Sequence, residues 1–244
     1  MSYQQVSPRA RIGFIIPSSN RMVEPQVQRW MPAGVSPHFT RIGMTNRHKA
    51  PLDQLLPRML EATSLLADSK CDVIVLQCTG TSMSGGVEME KHVIAEMQRV
   101  GGCPTASAAS SLTAAFEALD ARRLVFLSET KQPGHDKKIA YLKECGYELV
   151  ADKAVGLSGS DEYCTTPAQR WFDEAVALRN DNADAYFISC ANIHSIDVIQ
   201  RLEDKLQRPV VTTNQAAIWR SLRLAGIDDD VPSLGALMRI GAKT

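Results

Sequence analysis

Two stretches of this chain have the same shape and constrain what it can fold into. Asp72-Val-Ile-Val-Leu-Gln-Cys78-Thr-Gly-Thr-Ser82 and Asp184-Ala-Tyr-Phe-Ile-Ser-Cys190-Ala-Asn192 each place an acidic residue before a short apolar run and a cysteine after it. A continuous apolar run rich in β-branched or aromatic residues, with no polar alternation, is how a parallel strand covered on both faces reads. The two cysteines are 112 positions apart, and so are Phe14 in Arg11-Ile-Gly-Phe-Ile-Ile16 and Phe126 in Arg123-Leu-Val-Phe-Leu-Ser128. The repeat predicts two similar halves, each bringing one thiol to the carboxyl end of a strand, where open α/β sheets bind their ligands.

Strand and helix patterns alternate throughout. In the first half, strands are expected over 11–16, 38–43, 72–77 and 104–107, and helices over 21–31, 52–69, 85–100 and 110–119. In the second, strands are expected over 124–127, 148–155, 184–189 and 209–213, and helices over 133–145, 167–180, 195–206 and 215–224, with a polar loop over 156–163. Alternation of this kind makes the sheets mostly parallel. The expected fold is therefore α/β in two pseudo-symmetric halves, each a mostly parallel sheet flanked by helices, with the site in the cleft between them. The halves are 1–120, carrying Cys78, and 121–244, carrying Cys190, and the last helix, 215–226, is placed to pack back on the first half.

Composition narrows the function. The 27 basic and 27 acidic residues balance, so no basic surplus argues for nucleic acid, and no apolar run reaches the roughly 18 residues of a membrane span. The polar N-terminus, 1–9, lacks the apolar centre of a signal peptide, which makes the cytoplasm the expected location. Six cysteines without a C-x-x-C pair and five scattered histidines read as reduced thiols with no structural zinc. The stretch Gly80-Thr-Ser-Met-Ser-Gly85-Gly86 matches no nucleotide-binding pattern.

The chemistry then rests on Cys78 and Cys190. Either one alone reads more readily as a small buried hydrophobe. As a matched pair they suit one small carbon centre, with one thiolate adding or taking a proton and the other donating. Thr79, Gly80 and Thr81 after the first cysteine, and Ala191 and Asn192 after the second, offer backbone N–H groups near a helix start, which bind carboxylates and lower a thiol pKa. Asn20 reads as a helix N-cap or as a carboxylate donor in the cleft. His194 lies four residues past Cys190, but a capping or surface role outweighs a Cys–His pair. The basic loop 44–51, with Arg47, His48 and Lys49, is either a lid over the site or a solvated surface loop. Cys71, Cys103, Cys145 and Cys164 read as structural.

Pro17-Ser-Ser-Asn20-Arg-Met-Val-Glu24, Cys78-Thr-Gly-Thr, Ser189-Cys190 and the later Arg208-Pro-Val-Val-Thr-Thr-Asn-Gln-Ala together resemble the maleate cis-trans isomerase and arylmalonate decarboxylase branch of the aspartate/glutamate racemase superfamily, over roughly residues 11–226. The resemblance implies a cofactor-independent enzyme acting on a small mono- or dicarboxylate, as a homo-oligomer, dimer or tetramer. Decarboxylases of the branch carry a glycine at the position of Cys78, so two cysteines imply an isomerase or racemase. In the isomerase version Cys78 adds to the double bond, the adduct rotates and eliminates, and Cys190 supplies and retrieves the proton. Asn20 and the backbone after each cysteine hold the carboxylates. The alternatives are a two-cysteine amino-acid or hydantoin racemase, a decarboxylase-like relative, or a non-catalytic carboxylate-binding protein.

The branch's substrate-binding tyrosine, in a Thr-Pro-Tyr-like turn, is replaced here by Ser128-Glu129-Thr130, and a later asparagine by Asp161-Glu162. Thr130 and the nearby phenol of Tyr163 are the expected substitutes. Acidic groups at these points are expected to repel a dicarboxylate.

Overall fold

The computed structural model describes residues 9–241. The polar N-terminal stretch read for targeting lies, apart from Arg9, outside the described residues.

The first half runs β1 (Ala10–Pro17), α1 (Val23–Trp30), β2 (Val35–Ile42), α2 (Leu52–Asp68), β3 (Val73–Leu76), α3 (Thr79–Ser82), α4 (Gly86–Gly101), β4 (Thr105–Ser107) and α5 (Ala108–Ala118). The second runs β5 (Arg123–Ser128), α6 (Gln132–Glu144), β6 (Glu148–Ala154), α7 (Ser160–Thr165), α8 (Ala168–Ala177), β7 (Ala185–Ile188), α9 (Ile199–Leu206), β8 (Val210–Thr212) and α10 (Thr213–Leu224). Each half is a four-stranded, wholly parallel sheet, ordered β2-β1-β3-β4 and β6-β5-β7-β8. The strand register repeats too: Phe14 faces Val75 and Phe126 faces Phe187, the same pairing moved by 112 positions.

Every residue of β3 and β7 is buried, as helices on both faces of a parallel sheet require. Phe126 stacks on Phe187 at 5.2 Å between ring centroids, and Phe116 of α5 meets the edge of the same ring at 5.6 Å, so one aromatic cluster joins the halves. Gly13 in β1 is small because α2 comes close: a Cβ there would lie 3.0 Å from Leu66 Cδ1. The chain's last helix, α10, packs mainly on α5 and also touches α1 and β3, so it lies against the first half.

Several local features depart from the sequence reading, among them the short helix α3 after Cys78. The stretch 156–163, expected as loop, turns into α7 at Ser160, with Asp161 and Glu162 favourably placed in its first turn. Gly159 precedes it at φ +154°, a conformation that suits glycine. The helix expected from 195 begins as a 3-10 turn over Ser195–Val198 and becomes α-helical only at Ile199. And α10 starts at Thr213, because Thr212 and Gln215 form a capping box. Among the described residues no helix is long and apolar enough to cross a membrane.

Candidate active site

β3 and β7 are central strands, so the loops leaving them open into the cleft between the sheets. Cys78 sits between β3 and α3, and its thiol donates to Thr81 Oγ1 at 3.1 Å. Cys190 sits two residues past β7, and its sulfur accepts from Asn192 N at 3.3 Å. The backbone of Cys190 is held at φ +114°, a conformation costly for a residue with a Cβ. Such strain persists only where the surroundings over-determine it, and here the surroundings are specific. Cys190 N donates to Thr213 Oγ1 at 3.1 Å, and Thr79 Oγ1 donates to the same oxygen at 3.1 Å. One threonine at the start of α10 thereby ties both cysteine loops together.

Buried amides extend the tie. Gln77 Nε2 donates to Asn214 Oδ1 at 2.8 Å, and Asn214 Nδ2 donates to Gln26 Oε1 at 2.6 Å and to Ala191 O at 3.1 Å. Asn20 caps a helix and lines the cleft at once. Its Oδ1 accepts from Met22 N and Val23 N, capping the approach to α1, and one N–H donates to Ala191 O at 3.1 Å. The amide's second N–H is left over for a ligand.

Cys78, Cys190, Asn20, Thr79, Gly80, Thr81, Ala191, Asn192, Thr130 and Tyr163 all line one cavity of about 340 Å³. That size lies at the lower end of small-molecule sites. The amides at the start of α3 lack partners within the helix, and open space adjoins Gly80, so a ligand can approach them. From loop 44–51, Thr45, Asn46 and Lys49 reach the cavity, whereas Arg47 Nε donates to His48 Nε2 at 3.2 Å. Ser160 Oγ donates to Ser19 Oγ at 3.3 Å and Arg21 pairs with Asp161 across the mouth, joining the two halves there. Among the described residues no cluster of three metal-ligating side chains occurs.

As the sequence reading favoured, His194 is engaged away from Cys190: its Nε2 bonds Cys164 O at 2.9 Å and its Nδ1 lies 3.8 Å from Asp197. Of the acidic replacements, Glu129 lines the cavity as half of an ion pair, and Glu162 is not part of its lining. Glu162 accepts from Ser158 N at 2.8 Å as a local cap, and Glu129 is buried in an ion pair, 2.8 and 2.6 Å from Lys138 Nζ. Lys138 also donates to Ser189 Oγ at 3.0 Å. Sequence reading missed Lys138 because a lysine on a helix is ordinarily solvated, and only the fold turns that face of α6 towards β5 and β7.

The structure corrects the expectation for the thiols, which was that their pKa values are lowered. Burial pushes both up, Cys190 well above the ordinary range. The ion pair acts differently on the two. At Cys78, after burial and the opposing Thr81 hydrogen bonds, the Lys138 charge favours the thiolate more than Glu129 opposes it; at Cys190, after burial, Glu129 opposes more than Lys138 favours. Cys78 is thus the easier thiol to ionise, and Cys190 the better kept proton donor. The Tyr163 phenol, in contact with the Thr130 hydroxyl, is raised to about 12 by burial and the Glu129 charge, so it stays a donor at neutral pH.

Comparison with known proteins finds relatives over nearly the whole chain. The family model described as arylmalonate decarboxylase matches residues 12–238. A maleate isomerase of Nocardia farcinica is 28% identical over 239 residues, covering 94% of this chain and 95% of that protein. The structure of the maleate isomerase Iso from Pseudomonas putida S16, a cysteine-to-alanine variant with maleate, superposes with a TM-score of 0.88 at 21% identity, covering 95% of this chain and 98% of that one. A cysteine-to-serine variant of the Nocardia farcinica maleate cis-trans isomerase, with a covalently bound succinylcysteine intermediate, gives a TM-score of 0.86 at 25% identity over 94% and 98%.

Proposed function

The chain belongs to the arylmalonate decarboxylase family, and from that premise we propose that it is a cofactor-independent isomerase converting a maleate-type cis acid to its trans, fumarate-type isomer through an adduct on Cys78. The observation that carries this reading is that Cys78 and Cys190 line one small cavity, each two residues past the end of a central strand. The succinylcysteine held by the Nocardia farcinica relative is the adduct expected from such an addition.

The Cys78 thiolate forms a C–S bond to one alkene carbon while the neighbouring carbon takes the proton of Cys190. The former double bond is then single and free to rotate. Cys190, now thiolate, retrieves a proton from that carbon as the C–S bond breaks, so the thiols return to their starting forms. Asn20 and the amides of Thr79, Gly80 and Thr81 bind the carboxylate at the Cys78 end and so hold the alkene against the thiol, while the charge that develops on the neighbouring carbon is met by the proton of Cys190. The unequal field of Glu129 and Lys138 favours Cys78 as nucleophile and Cys190 as acid over two interchangeable bases. The same reading puts the enzyme in the cytoplasm as a homo-oligomer.

The test is to incubate the reduced protein with maleate and follow the vinyl protons by NMR beside a Cys78→Ala control. Fumarate that vanishes in the control supports the reading. Undiminished turnover by Cys78→Ala removes the adduct mechanism.

A further inference from the structure

The wall beneath Cys190 is unusual for a site that must hold a dianion. Glu129 and Lys138 are both buried and both line the cavity. An ammonium has three N–H donors and no acceptor. Those of Lys138 are directed at Glu129 Oε1, Glu129 Oε2 and Ser189 Oγ, at 2.8, 2.6 and 3.0 Å. None is left for a ligand. Glu129 is the reverse case: a carboxylate offers about four acceptor positions, of which Lys138 fills two. Despite its lysine, this wall therefore presents acceptors to the cavity. A second substrate carboxylate, also acceptor-only, would meet the Glu129 carboxylate oxygen to oxygen, with no Lys138 proton between them.

Beside Glu129 stand the Thr130 hydroxyl and the Tyr163 phenol, both lining the cavity. The phenol is a donor. The wall thus combines one acceptor and one donor, complementary to a group that donates through N–H and accepts through C=O. We propose that this subsite takes a carboxamide, the NH2 donating to Glu129 and the carbonyl accepting from Tyr163, so that the substrate is a cis-enedioic monoamide with its single carboxylate at the Cys78 end. The assignment rests on the isomerase reading for its chemistry. A carboxamide conjugated to the double bond still activates it for thiol addition, and addition, rotation and elimination balance as they do for the diacid, with no co-reactant.

Binding and turnover separate the two ideas. Titration calorimetry of the wild-type protein with succinamate and with succinate, saturated analogues that cannot isomerise, reads the subsite alone. Succinamate is expected to bind about tenfold or more tightly, the usual cost of leaving a buried polar group mismatched. Equal binding, or tighter binding of succinate, overturns the monoamide assignment. Turnover is then compared by NMR for the monoamide of maleic acid and for maleate. A preference for the monoamide of similar size is expected, and in Glu129→Gln, which frees Lys138 donors for a carboxylate, the ratio is expected to shift towards maleate. An unchanged ratio in that variant, or a wild-type preference for maleate, overturns the assignment. If neither compound turns over while succinamate binds preferentially, the subsite stands and the isomerase reading falls.

Discussion

Asp184 holds Arg123 from two sides at once: its carboxylate accepts from the Arg123 backbone N–H at 2.7 Å and from the Arg123 guanidinium, also at 2.7 Å. It accepts from Arg122 N as well, at 3.0 Å. The Arg123 hydrogen bond is the main reason its pKa is lowered to about 2. In the other half Asp72 accepts from Arg11 N at 2.7 Å, so the acidic residue before each central strand fastens the start of its neighbour.

Because the Asp184 pKa is lower folded than unfolded, its contribution to stability is fully present above about pH 4 and is lost as pH falls towards 2. Asp184→Asn is therefore expected to be less stable than wild type at pH 7, by about 1–2 kcal/mol from the weakened charged hydrogen bonds. Urea unfolding should show that gap closing as the pH is lowered to about 2. A gap of constant size would refute the assignment.

The thiols give the opposite sign. Burial raises both, so each is protonated at neutral pH and gains thiolate as pH rises. The rate of iodoacetamide labelling at Cys78, followed by mass spectrometry, is expected to climb through pH 9 without levelling off near neutrality. A plateau below about pH 8.5, the free-thiol value, would contradict a raised Cys78.

Much of this architecture is legible in the sequence, and the reason is repetition. Arg11 and Arg123, Asp72 and Asp184, Phe14 and Phe126, Cys78 and Cys190 all share one spacing, and the members of each pair stand at the same place in their halves. What repeats is local: an apolar run, a cap, a turn. The start of α10 at Thr213 could also have been found, since Thr212-x-x-Gln215 is a capping-box pattern. The Glu129–Lys138 pair could not. Nothing local marks either residue as buried, and Ser189, which takes the third lysine proton, is 51 positions from it in sequence. An ion pair in a cleft wall is a product of packing three elements, and it fixes an acidic residue in place as an acceptor.

Asn214 tests how far the two cysteine loops depend on the amide network. It is 2% exposed and bonds Gln77, Gln26 and Ala191. Asn214→Ala leaves those groups without it in a dry interior, which is expected to cost about 2–4 kcal/mol in urea unfolding. Asn214→Asp keeps the acceptor for Gln77 and loses the donors to Gln26 and Ala191. It should therefore lower activity at temperatures where the protein is still fully folded by circular dichroism. Full activity in that variant would mean that the network only stabilises.

The proton-donor role of Cys190 makes a separable prediction. Serine is a poorer acid of similar size, so Cys190→Ser is expected to lower kcat by about 10²–10⁴, the usual worth of a positioned acid. Intact-protein mass spectrometry after quenching with substrate should then show one added substrate mass, mapped to Cys78. An accumulated adduct would mean that proton retrieval during elimination is the step most slowed, and loss of activity with no adduct would mean that it is proton donation during C–S bond formation.

The backbone at Cys190 shows that the site is held at a cost. At φ +114° a residue with a Cβ is strained, and glycine is not. Replacing Cys190 by Ala or by Gly removes the same thiol chemistry, so both variants should be inactive, yet they should differ in stability. Elsewhere glycine is the weaker choice because it loses more entropy on folding. Here Cys190→Gly is expected to exceed Cys190→Ala by about 1 kcal/mol in denaturant unfolding. That order would show that the hydrogen bond from Cys190 N to Thr213 holds the loop in a conformation that aims a thiol into the cleft at the expense of stability. The reverse order would mean that the loop relaxes once the thiol is gone.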